Sequence, residues 1–321
     1  MKNNLLTMTA MSFLGLAVST SALANISPFY KTVGDTAYCG FKDTEGKTVI
    51  AANKYEGCGQ VSDGMAYVGV KISGSNGDKW LQGFVNENGK IVIPVKYEVA
   101  EGLDGGEYQS FSEGLVAVYK NGKYGYMDKQ QKLVIPHNYE TAQHFNEGLA
   151  VVSNEGLSGV INKAGKVVVP LKHGFIGSYS DGVAAFTVDT NDGRLRYGFM
   201  DKKGSVTLKP KWNIAEGFSE GLAAVAIDPK GDESYRWGVI NKSGHYVVQP
   251  KYHSMAEQTE SSNAPQGARR YKNGKIFMYD YVNPNSPQKS KVVRYTLDKA
   301  GKVVNTKTFA DWAAASKDNQ R

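Results

Sequence analysis

Tyr124-Gly125-Tyr126-Met127-Asp128, then Lys132-Leu133-Val134-Ile135-Pro136, then Tyr139, Ala142 and Phe145, then Glu147-Gly148-Leu149-Ala150-Val151-Val152: this stretch decides the fold, because the chain writes it six times. Another copy opens at Trp237-Gly238-Val239-Ile240-Asn241 and runs through Val247-Val248 and Pro250 to Tyr252. Aligned on the glycine after the aromatic position, the copies start at Gly40, Gly83, Gly125, Gly159, Gly198 and Gly238, at spacings of 34 to 43 residues. A seventh, worn copy stands at Tyr295-Thr296-Leu297-Asp298, followed by Gly301-Lys302-Val303-Val304. Self-similarity at such a period marks an array of supersecondary units, none of which buries its apolar face alone.

Each copy reads as three short strands: Gly-Leu-Ala-x-Val (Gly221 to Val225), aromatic-Gly-apolar-apolar (Tyr197 to Met200), and a β-branched run before proline (Val167 to Pro170). Between the second and third strands stands Asp or Asn, at Asp43, Asn86, Asp128, Asn162, Asp201, Asn241 and Asp298, with glycine three residues later except at Gln131. That spacing is a turn signature, since Asx bonds the turn backbone and glycine takes φ > 0. Proline, which has no N–H to give a ladder, is expected to end the third strand. The three-residue spacing of Tyr139, Ala142 and Phe145 predicts a short 3₁₀ or helical turn. The expected architecture is all-β: tandem three-stranded antiparallel meanders stacked as an open β-solenoid-like array, with a closed β-propeller as the alternative. Uneven spacings and worn end copies favour the open form. The chain divides into a leader (1–24), six repeats (25–256), an irregular insertion rich in Ser, Asn, Pro and Gln (257–291), and a degenerate terminal repeat with tail (292–321). The glycine-rich stretch between Ala100 and Phe111 reads as a protruding loop.

The combined pattern of aromatic-Gly-apolar-apolar-Asn/Asp, β-branched-Pro, then Tyr, Ala, Phe and Glu-Gly-Leu-Ala resembles the WG-containing repeat of bacterial proteins, over roughly residues 37–256. The name-giving pair is intact only at Trp237-Gly238; Tyr124, Tyr197, Ser158, Gln82 and Cys39 fill the tryptophan place elsewhere. The resemblance implies a β-rich repeat architecture and supplies no shared catalytic residue, cofactor or ligand.

Lys2, an apolar run from Leu5 to Val18, and Ala22-Leu23-Ala24 have the order of a cleaved secretory leader, and the run is shorter than the ~20 residues a bilayer span needs. A periplasmic or secreted protein that does not span the membrane is expected. The formal charge of +7 is mild for 321 residues; it favours anionic surfaces without indicating a specific nucleic-acid partner. The two cysteines, Cys39 and Cys58, read as a disulfide in an exported chain. The repeat register supports the pairing. Cys39 takes the place of Tyr124 and Cys58 that of Ala142, and the matching pairs Tyr197 with Ala215 and Trp237 with Met255 suggest side chains that touch in every copy.

Chemistry-bearing motifs reduce to parts of the repeat. Gly217-Phe218-Ser219-Glu220-Gly221 matches a nucleophile elbow, yet the same Phe-Ser-Glu-Gly stands at 111–114 in a meander context, without the strand-to-helix turn the elbow needs. Gly46-Lys47-Thr48 lacks the helix a phosphate loop requires. The histidines His137, His144, His173, His245 and His253 have no zinc spacing, and one carboxylate per turn is too few oxygens for calcium. No catalytic, cofactor or metal residue is expected. Two charged series recur: Lys54, Lys96, Lys172, Lys211 and Lys251 before the Tyr/Trp/His position, broken at Asn138, and Asp63, Glu113, Glu147, Asp181 and Glu220 at the head of the first strand. Either the two series pair across copies or stay solvated, or the lysines form an anionic-ligand row. The expected function is an exported, non-enzymatic binding or scaffolding surface of the cell envelope, for anionic polymer, carbohydrate or another protein. An envelope-polymer hydrolase, which would need two convergent carboxylates, and a secreted effector are the alternatives.

Overall fold

The computed structural model describes residues 26–74, 77–100, 109–190, 193–229, 231, 235–253, 270–282 and 291–311, with Ala314, Ala315 and Asp318. The leader and most of the glycine-rich loop lie outside these residues. Seven meandering units follow one another. Unit 1 comprises β1 (Ile26–Val33), β2 (Thr36–Asp43) and β3 (Thr48–Tyr55); unit 2 comprises β4 (Gly57–Cys58), β5 (Met65–Gly74), β6 (Gly77–Asn86) and β7 (Ile91–Glu98). Unit 3 has β8 (Leu115–Lys120), β9 (Lys123–Asp128) and β10 (Leu133–Tyr139); unit 4 has β11 (Thr141–Ala142), β12 (Leu149–Asn154), β13 (Leu157–Asn162) and β14 (Val167–His173). Unit 5 holds β15 (Val183–Asp189), β16 (Leu195–Asp201) and β17 (Val206–Trp212); unit 6 holds β18 (Ile214–Ala215), β19 (Leu222–Ile227), β20 (Arg236–Asn241) and β21 (Tyr246–Tyr252). Unit 7 is β22 (Lys275–Tyr281), β23 (Val292–Asp298) and β24 (Val303–Phe309). All pairings are antiparallel between neighbours in sequence, and units 2 and 3 join in one sheet where Glu98 meets Tyr119.

The chain therefore folds as the repeats dictate, with three local corrections. Proline does not end the third strand: β10 runs through Pro136 to Tyr139, with Ile135 opposite Tyr126 and Tyr139 opposite Tyr124, so the edge strand bulges where proline would break a ladder. The Tyr-Ala-Phe spacing is not helical. The amides of Glu140 and Gln143 donate to Ser153 O and Val151 O (both 2.9 Å), making Thr141–Ala142 a two-residue strand against β12. The terminal unit also begins inside the segment expected to be an insertion: Tyr271-Lys272-Asn273-Gly274 is a worn turn leading into β22, its first strand.

The bulge explains the glycine that names the repeat. A β-carbon on Gly238 would lie 2.5 Å from Val248 O, and one on Gly125 would lie 2.5 Å from Ile135 O. At Gly83, Gly159 and Gly198 the third-strand carbonyl would stand 2.6–2.7 Å away, and at Gly40 Ile50 O would be nearer still. The edge strand closes over a position that tolerates no side chain. The Asx turns form as expected: Asp201 Oδ1 accepts the amides of Lys203 (2.9 Å) and Ser205 (2.8 Å), and Gly204 has φ of 82°.

Both faces of each inner sheet are covered. Leu149, Val151 and Val160 join a core with Ala184, Phe186 and Met200 of unit 5, while Ala150, Val152 and Ile161 join Ala117, Tyr126 and Ile135 of unit 3. The first strands consequently read Leu-Ala-Val-Val with every residue buried, without polar alternation.

Between units runs a ladder of charge. Asp63, Glu113, Glu147, Asp181 and Glu220 all adopt positive φ (51° to 55°) ahead of a positive-φ glycine, the turn preferred in two-residue hairpins. Each carboxylate accepts the glycine amide of the next unit's turn: Gly114 to Asp63 (2.5 Å), Gly148 to Glu113 (3.0 Å), Gly182 to Glu147 (3.0 Å), Gly221 to Asp181 (2.6 Å) and Gly274 to Glu220 (3.0 Å). Lysines of the next unit's Asx turn add ion pairs, Lys129 with Asp63 (3.0 Å), Lys202 with Glu147 (3.0 Å) and Lys299 with Glu220 (2.9 Å), and Lys242 donates to Asp181 O (2.5 Å). Side chains beside the acids reach forward too: Ser62, Ser112 and Ser219 donate to the carbonyls of Phe111, Phe145 and Tyr271. The acidic series thus pairs across copies, with lysines of the Asx turns and not with the recurrent lysine row.

Cys39 and Cys58 are bonded, with Cα atoms 6.0 Å apart, inside the core shared by units 1 and 2. Tyr124 with Ala142, and Tyr197 with Ala215, share cores in the corresponding places; Met255 lies outside the described residues.

Three outcomes follow for stability. Gly238→Ala is expected to destabilise by about 1–3 kcal/mol through overpacking against the edge strand, read as a lowered thermal midpoint; an unchanged midpoint would mean the bulge is not fixed. Non-reduced protein should take up no alkylating agent, and reduction should cost about 3 kcal/mol in the chain-entropy model for this 19-residue separation; mass spectrometry and denaturant titration read the two. The hydrogen bond and ion pair from Lys299, helped by the Gly274 amide, hold the Glu220 carboxyl below its ordinary range. A depressed folded-state pKa adds stability that is full above the unfolded-state value and lost as pH falls through the folded one. Glu220→Gln should therefore lower the midpoint at neutral pH, and the gap from the parent should close as the medium is acidified past that carboxyl.

Candidate functional site

The lysine row lies on the third strands, which form sheet edges except for β7, joined to β8. Lys54 on β3, Lys96 on β7, Lys172 on β14, Lys211 on β17 and Lys251 on β21 are all exposed, next to last in their strands except Lys96, which Tyr97 and Glu98 follow. The bulge that clears the glycine also sets their geometry, turning the following aromatic ring inward and leaving the ammonium above it. Lys54 Nζ stands 5.3 Å from the Tyr55 ring centre, Lys96 5.5 Å from Tyr97, Lys211 4.7 Å from Trp212 and Lys251 5.1 Å from Tyr252. His173 takes the aromatic place after Lys172 and packs its ring 5.6 Å from that of Phe186, as a packing substitute. Burial, then the charge of Lys172, holds its imidazole below the ordinary range. Among the described residues no carboxylate pairs with any of the five lysines, whereas the acids of the repeat are occupied between units.

A lysine on an edge strand also blocks edge-to-edge association. That role needs only a charge somewhere along the strand. Here the lysine recurs at one register, beside one aromatic position, in five units.

The other motifs settle into the architecture. Ser219 donates its hydroxyl to Tyr271 O (2.8 Å) within the inter-unit ladder, and Gly46-Lys47-Thr48 closes the turn from β2 to β3. His253 Nδ1 meets the Asp280 carboxylate, linking units 6 and 7. Where the lysine row breaks at Asn138, the structure brings together residues the sequence reading did not combine: Lys96, Tyr97, Tyr119, Lys120 and His137 line a cleft of about 470 Å³ between units 2 and 3. The only signal in the sequence was the break itself.

No curated protein matches this sequence. Among solved structures, a crystal structure of the eukaryotic initiation factor is similar over 87% of this chain and 75% of its own, at 12% identity and a TM-score of 0.52, a likeness of fold alone. Hsv2p of Kluyveromyces lactis is similar at a TM-score of 0.46 and 12% identity, over 88% of this chain and 94% of its own. The WD40 domain of Toxoplasma gondii coronin is similar at 0.36 and 10%, over 89% and 79%. The family described as WG containing repeat matches residues 40–71, 83–124, 124–157, 159–189, 197–230 and 237–257. These segments are offset from the units, each opening on a unit's second strand at or just before the glycine over which the third strand folds, and the chain belongs to the WG containing repeat family.

Proposed function

We propose that this chain is an exported, non-enzymatic binding protein of the cell envelope, holding an anionic polymer along its lysine-bearing third strands. The observation that carries the reading is the unequal fate of the two charged series. Acids at the turns are used up by backbone amides and lysines of the next unit, and the lysines beside the aromatic rings keep their charge facing solvent. Repetition places these cations on successive units, a geometry matched to a chain of repeated negative charges. An amphipathic ring beside each ammonium suits a carbohydrate backbone that carries the charge. Export is supported by the leader-like residues 1–24 and by the disulfide, a bond that persists in oxidising compartments.

The array we read as open, with distinct ends. The outward face of unit 7 is covered by the C-terminal tail: Ala315 packs on Tyr279, Val292 and Phe309, and Arg294 lies over the Phe277 and Phe309 rings and pairs with Asp318 at 2.8 Å. At the other end, Tyr30 (56%) and Val33 (52%) of unit 1 stand exposed. Capping of this kind is what a linear stack requires.

Replacing Lys96, Lys211 and Lys251 together with glutamine should weaken binding to immobilised lipopolysaccharide or teichoic acid and flatten its salt dependence, with the thermal midpoint unchanged. If the parent protein fails to bind lipopolysaccharide, teichoic acid or DNA at low salt, the reading is wrong.

A further inference from the structure

In units 2, 4 and 6 a two-residue strand (β4, β11, β18) edges the first long strand; in unit 5 the Ile176 to Phe186 bridge does so. Unit 3 departs from this plan. Its first strand, β8, pairs at Tyr119 with Glu98, the last residue of β7, and the next amide, Val99, turns back to Trp80 O (3.0 Å). The cleft opens where this change occurs.

Its walls are chemically one-sided. Lys96 and Lys120 bring two exposed ammonium groups, and the one lining carboxylate, Glu98, faces Lys79 Nζ at 3.4 Å. His137 is half-buried among them; burial, then the charge of Lys120, holds its imidazole below the ordinary range, so at neutral pH it is an uncharged hydrogen-bonding group. Burial raises the Tyr97 hydroxyl, which keeps its proton. Tyr97 and Tyr119 give ring surface, with Val118 and Met127 buried at the floor. The volume lies within the ~300–1,000 Å³ of sites that hold small molecules.

We propose that this cleft is a discrete binding site for a short acidic saccharide, its carboxylate or phosphate held between Lys96 and Lys120, its hydroxyls by His137 and its ring against Tyr97 and Tyr119. The inference rests on the reading of the lysine row as a polyanion surface and makes the cleft the place where one segment of such a polymer is gripped. Lysine supplies the point charge such a group needs, and the tyrosine ring is apolar on its face and polar at its tip.

The test is calorimetric titration of the full chain with trigalacturonate and with a phosphorylated disaccharide, in parallel with polymer retention. Saturable binding of one equivalent is expected, weakened at least tenfold by Lys120→Gln and by His137→Leu, neither of which belongs to the row. Lys211→Gln with Lys251→Gln should leave the short ligand's affinity unchanged while reducing polymer retention. The arm that binds more tightly identifies the acid group, carboxylate or phosphate. No saturable binding of either saccharide, or binding indifferent to Lys120 and His137, overturns the site even where polymer retention still depends on Lys211 and Lys251. Saccharide binding that needs Lys120 alongside polymer retention indifferent to the row would instead sink the broader reading and leave the cleft standing.

Discussion

A backbone carbonyl occupying the place of a β-carbon is the constraint on which the other features depend. In each of the six repeats the third strand crosses its neighbour with extra residues, and the slack is taken up over one glycine. Without that close approach the strand would run straight and the aromatic residue at its end would point elsewhere. With it, Tyr55, Trp212 and Tyr252 turn into the inter-unit cores, and the preceding lysine is left at the rim. The same side-chain-free spot that makes the sheets stack makes the charged row.

Stacking solves the burial problem that a small sheet cannot solve alone. Three or four short strands have too little apolar surface on one face to offset the entropy of ordering them. Here every inner sheet uses both faces, so each contributes to two cores. Polar groups between the cores are matched in kind: the turn amide that each hairpin leaves without a ladder partner is taken by a carboxylate of the preceding unit. Positive φ at the five acids of this series, strained for non-glycine residues, is what the two-residue turn demands, as at Asn273, and it leaves their carboxylates facing the next unit.

Much of this was legible in the residues. The repeat, the strand composition and the Asx–Gly turns are local signals, and local signals survive folding unchanged. The disulfide was legible because the repeat placed each cysteine at a position whose partner could be read in other copies. Three things were not. Proline reads as a terminator when its strand is taken alone, and only the glycine opposite shows that it sits in a bulge. Tyr139, Ala142 and Phe145 share a three-residue spacing with a helical turn, but the amides of Glu140 and Gln143 find their acceptors in the following strand. The cleft brings Lys96 and His137, from the third strands of units 2 and 3, together with Lys120 of β8, a convergence that no local signal encodes. At the lysine row the sequence supplied the positions, and the structure supplied the asymmetry that distinguishes them from the acids.

The inter-unit ladder runs one way. Every acid of the series grips the unit that follows it, and in unit 7 the equivalent place is taken by Asn273. An extra copy spliced between units 4 and 5 would meet an acceptor behind it and offer one ahead, using contacts already present on both sides. Unequal recombination within the coding region can thus lengthen or shorten the array by whole repeats without inventing an interface. Related chains should differ in length by multiples of one repeat, and the number of lysines in the row should rise and fall with them.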